Sequence, residues 1–305
     1  MPRSRPPLNR IDACFSALRA AGRKAFVAYI TAGDPNLKIT AQLARSFERV
    51  GVDILELGVP FSDPLADGVV NQLAAERALK SGTTLKGILD LVAGLRRQKM
   101  KMPLVLFTYF NPIHCYGIEK FARDAARAGM DGVLNLDLPP EESDSWFVLM
   151  QQVGLHPILL ISPTTPPPRI ARIARKARGF IYYVSREGVT GMQKNLAGGI
   201  VSRIREIRRH TKAPVVVGFG ISTPQQVRQA AGVADGCVVG SAIVHRIGEI
   251  RKKTTLVPEV VRLVRSLASG CKHLAVYPSC LSGTTDTPLN VSCCPSDRLI
   301  PSAKP

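Results

Sequence analysis

Between residues 8 and 268 the chain alternates short, nearly continuous apolar runs with longer segments whose apolar residues return every three or four positions. The runs AFVAYIT (25–31), ILELGVP (54–60), PLVLFTY (103–109) and GVLNLDL (132–138) read as strands. PILLIS (157–162), FIYYVS (180–185), PVVVGFG (214–220) and CVVGSA (237–242) bring the series to eight. Runs this apolar fit parallel strands covered on both faces. The intervening segments read as helices. Ile39, Leu43, Phe47 and Val50 share one face of 36–51, as do Ile118, Phe121, Ala125 and Ala128 in 116–130. Gly51 and Gly129 supply the stop signals.

The joints repeat as well. RVGVDILEL (49–57) and RAGMDGVLNL (127–136) both run helix, glycine, aspartate, strand. Eight such units in about 260 residues predict a (β/α)8 TIM barrel spanning 1–270, with a doubly wound open sheet as the structural alternative. LNRIDACFSALRAAG (8–22) predicts an extra N-terminal helix across the barrel bottom. After Gly270 the periodicity stops, and 271–305, rich in Ser, Thr, Pro and Cys, reads as a disordered non-barrel tail.

Composition narrows the function classes. The 305 residues are 45% hydrophobic, enough for a sizeable core, yet contain no 18-residue apolar run and no signal-like start. The expectation is a cytoplasmic protein with no membrane association. Lys and Arg number 41 against 23 Asp and Glu, a net charge of +18. These cations cluster near 96–101, 169–178, 203–212 and 246–253, beside helical patterns, and read as solvated helix faces. Without interleaved aromatics they favour attraction of an anionic small molecule over nucleic-acid binding. Seven cysteines lack any CxxC pair, and the histidines lack ligand spacing, so reduced thiols and no metal are expected.

The strand ends carry the candidate chemistry. Glu56 interrupts an apolar strand and shares a face with Ile54 and Gly58. If that face is internal, burial raises its carboxyl pKa and suits it to proton transfer; the alternative is a carboxylate paired with a cation. The following loop, FSDPLADG (61–68), favours the first reading, because Asp67 stands eleven positions on and can face the same cavity. Asp63 reads as a turn former. SREGVTG (185–191), GFGIS (218–222) and VGSA (239–242) follow the last three strands, where barrels bind phosphate. Gly191, Gly220, Gly240 and Ser241 are the candidate cradle. Of Tyr182 and Tyr183, one points inward and one outward.

LELGVPFSDPLADG (55–68), FVAYITAGDP (26–35), YVSREGVTG (183–191), GFGIS (218–222) and GSAIV (240–244) occur together in this order. Over residues 8–268 the sequence resembles the tryptophan synthase alpha subunit family. The resemblance implies a barrel lyase that cleaves indole-3-glycerol phosphate to indole and glyceraldehyde 3-phosphate, in the biosynthesis of tryptophan. It implies Glu56 and Asp67 as the catalytic pair, with Tyr29, Phe107, Leu134, Asp137, Tyr182 and Thr190 around the substrate. It further implies no cofactor in this chain and a beta-subunit partner carrying pyridoxal phosphate, in an alpha2-beta2 heterotetramer. A free-standing lyase and a non-catalytic phosphate-binding barrel are the alternatives. One departure touches the pocket: the family often has Pro and then a pair ending in Ile-Gln after PLADG, where this chain has Val69-Val70-Asn71-Gln72.

Overall fold

The eight apolar runs pair edge to edge in chain order and close on themselves. The computed structural model describes residues 9–184, 196–218, 220–250 and 252–272. The strands are β1 (Ala25–Thr31), β2 (Ile54–Gly58), β3 (Leu104–Thr108), β4 (Gly132–Asn135), β5 (His156–Ile161), β6 (Ile181–Val184), β7 (Val215–Gly218) and β8 (Gly236–Val239). All pairs are parallel, and β8 returns to β1. The doubly wound alternative is thereby excluded.

Around the barrel lie α1 (Arg10–Ala20), α2 (Leu37–Val50), α3 (Val69–Lys80), α4 (Leu85–Arg97), α5 (Phe110–Tyr116) and α6 (Ile118–Ala128). They are followed by α7 (Asp144–Gln152), α8 (Pro167–Lys176), α9 (Leu196–Arg208), α10 (Pro224–Val233), α11 (Ser241–Glu249) and α12 (Lys253–Lys272). The long interval before β3 holds two helices, α3 and α4. Several strands stop short of the apolar runs that announced them. The run 237–242 leaves the ladder after Val239, and its Ser241 already starts α11, for which Gly240 is the N-cap. The final helix passes the expected boundary at 270 and buries Cys271, whose Sγ lies 3.8 Å from that of Cys237 on β8. Residues 273–305, the rest of the expected tail, lie outside the described residues.

Two apolar layers result. Leu55, Leu57, Leu104 and Leu106 face outward against the helices, whereas Val27, Ile54, Val105, Leu134, Ile158, Phe180, Val216 and Val238 fill the barrel. Ile11, Phe15 and Leu18 of α1 join the inner group, and Phe15 meets Phe180 with ring centroids 5.8 Å apart. The bottom is therefore plugged by α1. His156 Nε2, at 2.7 Å from Asp12 Oδ2, fastens the plug to β5.

The repeated joint has a physical function. Gly51 and Gly129 end α2 and α6 in the left-handed region, at φ 93° and 92°, which turns the chain toward the next strand without a Cβ clash. The aspartate that follows accepts a hydrogen bond from the backbone of the preceding strand. Asp53 Oδ2 takes Phe26 N–H at 2.9 Å, and Asp131 Oδ2 takes Leu104 N–H at 2.8 Å. Asp235 repeats the device one turn further, taking Val215 N–H at 2.9 Å. Asp131 also binds Arg10 at 2.8 Å and Arg96 at 2.6 Å. Arg96 is only 11% exposed and donates to the carbonyls of Gly129, Met100 and Met102. That corrects the reading of cluster 96–101 as a wholly solvated face: its first arginine is a buried staple.

Removing one partner of such a buried pair leaves the other charge uncompensated, so Asp131→Ala should lower the unfolding free energy by about 3–5 kcal/mol in urea titration. Arg10→Ala, which removes the more exposed partner, should cost less than about 1 kcal/mol.

Candidate active site

Barrel closure puts every second residue of β2 inside. Ile54 belongs to the inner apolar layer, so Glu56 and Gly58 share its face. Glu56 is fully buried, and neither carboxyl oxygen has a hydrogen-bond partner among the described residues. Burial alone pushes its pKa up to about 8. Among the described residues no cation pairs with it, in contrast to the alternative reading. The register sets Glu56 between Tyr29 of β1 and Val105 of β3. Tyr29 lies edge-on to Phe107, with centroids 5.0 Å apart. The glycines at the ends of β2 and β7 make room for the phenols, since a Cβ would stand 2.3 Å from the Tyr29 hydroxyl at Gly58 and 2.4 Å from that of Tyr182 at Gly218. Of the adjacent tyrosines, Tyr182 belongs to the inner layer and Tyr183 to the outer one.

Asp67 reaches the site from the loop after β2 and is held on several sides. Tyr109 donates its hydroxyl to Asp67 Oδ2 at 2.9 Å while accepting Ala66 N–H at 2.9 Å. Asn71, in the first turn of α3, donates Nδ2–H to Asp67 Oδ1 at 3.3 Å, and Gln72 donates to the Asp67 carbonyl at 2.9 Å. Burial raises the Asp67 pKa, and the Tyr109 and Asn71 donors oppose that rise. The two carboxyls therefore differ in kind. Glu56 is dry and unpartnered; Asp67 is hydrogen-bonded in its ionised form. Burial first, then the field of Asp67 and, less, that of Glu56, raise the Tyr29 phenol well above its ordinary value.

A cavity of about 300 Å³ opens beside Tyr29; its lining includes Gly68 and Asn71, near Asp67 in the chain, but neither Asp67 nor Glu56 itself, which were expected to face one cavity. Tyr29, Phe107, Tyr182 and Asn71 line it together with Gly218, Gly220, Gly240 and Ser241. This volume matches the lower end of small-ligand sites, about 300 Å³. The N-terminus of α11 lies at Gly240 and Ser241, where first-turn N–H groups have no intrahelical acceptor and favour an anion. That lining suits a small molecule that carries both a flat ring and an anionic group.

Comparison with known proteins decides the family. A sequence profile of the tryptophan synthase alpha chain matches residues 15–272. The tryptophan synthase alpha chain of Opitutus terrae is 48% identical over 267 residues, 87% of this chain and 100% of the relative. That of Citrifermentans bemidjiense is 51% identical over 237 residues, 78% of this chain and 88% of its own length. The crystal structure of tryptophan synthase subunit alpha from Legionella pneumophila aligns with a TM-score of 0.81 at 38% identity, covering 87% of this chain and 99% of that one. The chain belongs to the tryptophan synthase alpha chain family.

The other residues that the resemblance to tryptophan synthase alpha chains brought forward are dispersed. Leu134 lies deep in the inner layer, fully buried. Asp137 is exposed and accepts Phe110 N–H at 2.7 Å, capping α5. Thr190 and Gly191 lie outside the described residues. Sequence reasoning missed Tyr109, the residue that orients Asp67. Its signal was the alternation of Val105, Phe107 and Tyr109, which carries the inner face one step past β3.

The buried Glu56 has a consequence for stability. Its folded pKa, about 8, exceeds the ordinary 4.5, so the folded chain holds a proton that the unfolded chain releases between those values. Stability should therefore fall as pH rises from 4.5 toward about 8 and level off above it. Glu56→Gln removes this dependence. Thermal unfolding should show the variant more stable than wild type at pH 8, by at least about 2 °C, with little difference at pH 5.

Proposed function

We propose that Glu56 and Asp67 carry the lyase reaction of this family, cleavage of indole-3-glycerol phosphate to indole and glyceraldehyde 3-phosphate. The observation that carries the assignment is the buried Glu56 carboxyl, unpartnered among the described residues and with a pKa of about 8, beside Tyr29, which lines a cavity shared by aromatic side chains and the first residue of α11. At neutral pH Glu56 is protonated and donates its proton to C3 of the indole. Positive charge then develops on the ring nitrogen, and the Asp67 carboxylate opposes it. The Glu56 carboxylate next takes the proton of the side-chain hydroxyl. As that oxygen becomes the aldehyde, the carbon–carbon bond breaks and its electrons return to the ring. Glu56 ends the cycle protonated, ready for another turn.

Gly220, Gly240 and Ser241 hold the phosphate at the α11 N-terminus, joined by Gly191, and Tyr29, Phe107 and Tyr182 pack around the ring. Leu134 supports the ring pocket from below, Asp137 holds the segment after Tyr109, and Thr190 meets Asp67 when the site closes. The cationic surface steers the phosphorylated substrate toward the site. No cofactor takes part in this chain.

The partner reading rests on a patch beside the same loop. Leu65 is 94% exposed, Val69 68% and Leu73 49%. With Phe61, Pro64 and Leu79 they line a groove of about 660 Å³ along α3. Contiguous exposed apolar surface of this sort marks an interaction site. The loop that carries Asp67 thus reaches the beta subunit, which uses pyridoxal phosphate to consume the indole, in a cytoplasmic alpha2-beta2 assembly. Docking there favours the competent position of Asp67 and raises activity by population shift.

Indole release by the purified chain, measured with and without a cognate beta subunit, tests these assignments. Glu56→Gln should reduce turnover by at least about 10²–10⁴-fold and Asp67→Asn by a similar order, with substrate binding retained. Wild-type kcat/KM should decline above about pH 8 as Glu56 loses its proton. More than half of wild-type turnover in Glu56→Gln removes that residue from the mechanism. The beta subunit should stimulate cleavage several-fold, and Leu73→Glu should abolish stimulation while sparing basal turnover. High basal activity with no response to the beta subunit would favour a free-standing lyase instead.

A further inference from the structure

Two cysteines that no sequence motif pairs meet in the folded chain, far from the candidate active site. Cys237 is the second residue of β8, and Cys271 lies in the last turn of α12, 34 positions further on. Both are buried, and both belong to the apolar layer that joins the barrel to its outer helices. Their Sγ atoms stand 3.8 Å apart, and both are free thiols. Cys271 Sγ also lies 3.7 Å from the Ala25 carbonyl oxygen, which accepts its S–H, so the S–H of Cys237 points at Cys271. That contact, and burial after it, raises the Cys237 thiol well above its ordinary value.

The pair has no third group with which to hold a metal, since no cluster of three metal-ligating side chains occurs among the described residues. What remains open to the two sulfurs is a bond to each other. A disulfide holds its sulfurs about 2.0 Å apart, so the pair must close by about 1.8 Å. Rotation of the two side chains and a small shift of the helix end supply that, because terminal helical turns open most readily. The contact is dry and apolar, which favours a small neutral oxidant over a charged or bulky one.

We propose that Cys237 and Cys271 form a covalent modification site: a peroxide converts the buried thiol pair into a disulfide that fastens α12 to β8. Cys271, nearer the helix end, reacts first. Its sulfur, as thiolate, attacks one peroxide oxygen, the O–O bond breaks, and the second oxygen leaves as water once protonated. Cys271 is then a sulfenic acid. The sulfur of Cys237 gives up its proton and displaces the sulfenic hydroxyl, which leaves as a second water. Two thiols are thereby oxidised to one disulfide, and one peroxide is reduced to two waters. α12 packs against α2 and α10, so the bond ties the last helix of the ring to the last strand. It removes conformations from the unfolded chain, which raises stability. The opposite end of β8, where Gly240 lines the cavity, is left as it was.

The test uses the full chain, reduced, freed of reductant and treated with hydrogen peroxide at neutral pH. It is then alkylated under denaturing conditions, and its peptides are mapped by mass spectrometry. The peptides holding Cys237 and Cys271 should be recovered joined. The thermal midpoint should rise by about 5 °C or more and return on reduction with dithiothreitol. Cys271→Ser and Cys237→Ala should each lose both the joined peptides and the rise, with each variant's own reduced midpoint as its baseline. The mapping reads the wild-type chain alone, so it decides the matter even where a variant fails to fold. Recovery of either cysteine as a free thiol or a sulfinic acid overturns the proposal. So does pairing of either with Cys14, Cys115 or a cysteine beyond residue 272, or a joined pair that leaves the midpoint unmoved.

Discussion

A carboxyl group held dry inside a closed barrel is the constraint on which this site depends. Among the described residues neither Glu56 oxygen has a partner, and its neighbours on the inner face are hydrocarbon or aromatic. Such a group stays uncharged near neutrality because ionisation would place a charge in a medium that cannot solvate it. The proton it retains is the proton the chemistry needs. Everything that keeps the barrel interior sealed, including the α1 plug and the outer helical layer, therefore also sets the acidity of Glu56.

The seal has its own supports. Aspartates at the helix–strand joints bind the N–H groups of neighbouring strands, and Asp131 gathers two arginines and a backbone N–H into one buried cluster at the bottom. Stability is concentrated there and in the apolar layers. The opposite face is freed for short glycine-rich ends and a loop whose apolar side chains remain exposed. This separation is the usual division in barrels between a stabilising bottom and a reactive top. Here a single loop, 61–68, links the two surfaces that matter for function: Asp67 turns inward to Tyr109, and Leu65 looks outward.

The two carboxyls illustrate how position assigns role. Glu56 on a strand has its neighbours chosen by the barrel register, and none of the described ones donates to it. Asp67 on a loop lies where Tyr109 and a helix turn reach it, and both provide donors. One environment favours the acid and the other the carboxylate. The distinction follows from backbone placement, since as isolated side chains the two differ by one methylene.

Local patterning determined the architecture. Eight apolar runs, the helical periodicity between them and the Gly–Asp joints specified strand number and helix faces, because parallel strands covered on both sides admit few other arrangements; closure itself was decided by the pairing of β8 with β1. The outlier Glu56 was legible for the same reason: a charged residue in an apolar run stands out against its period. Strand ends were less legible. The apolar run at 237–242 continues past its strand because the start of α11 is apolar too, and composition alone cannot separate them. Only tertiary structure decided which side chains meet. That Tyr109 and Asn71 converge on Asp67, that Arg96 is a buried staple, and that Asp137 caps a helix are consequences of contacts between segments far apart or differently turned. Periodicity records which face a residue occupies; what stands opposite that face depends on how the whole barrel closes.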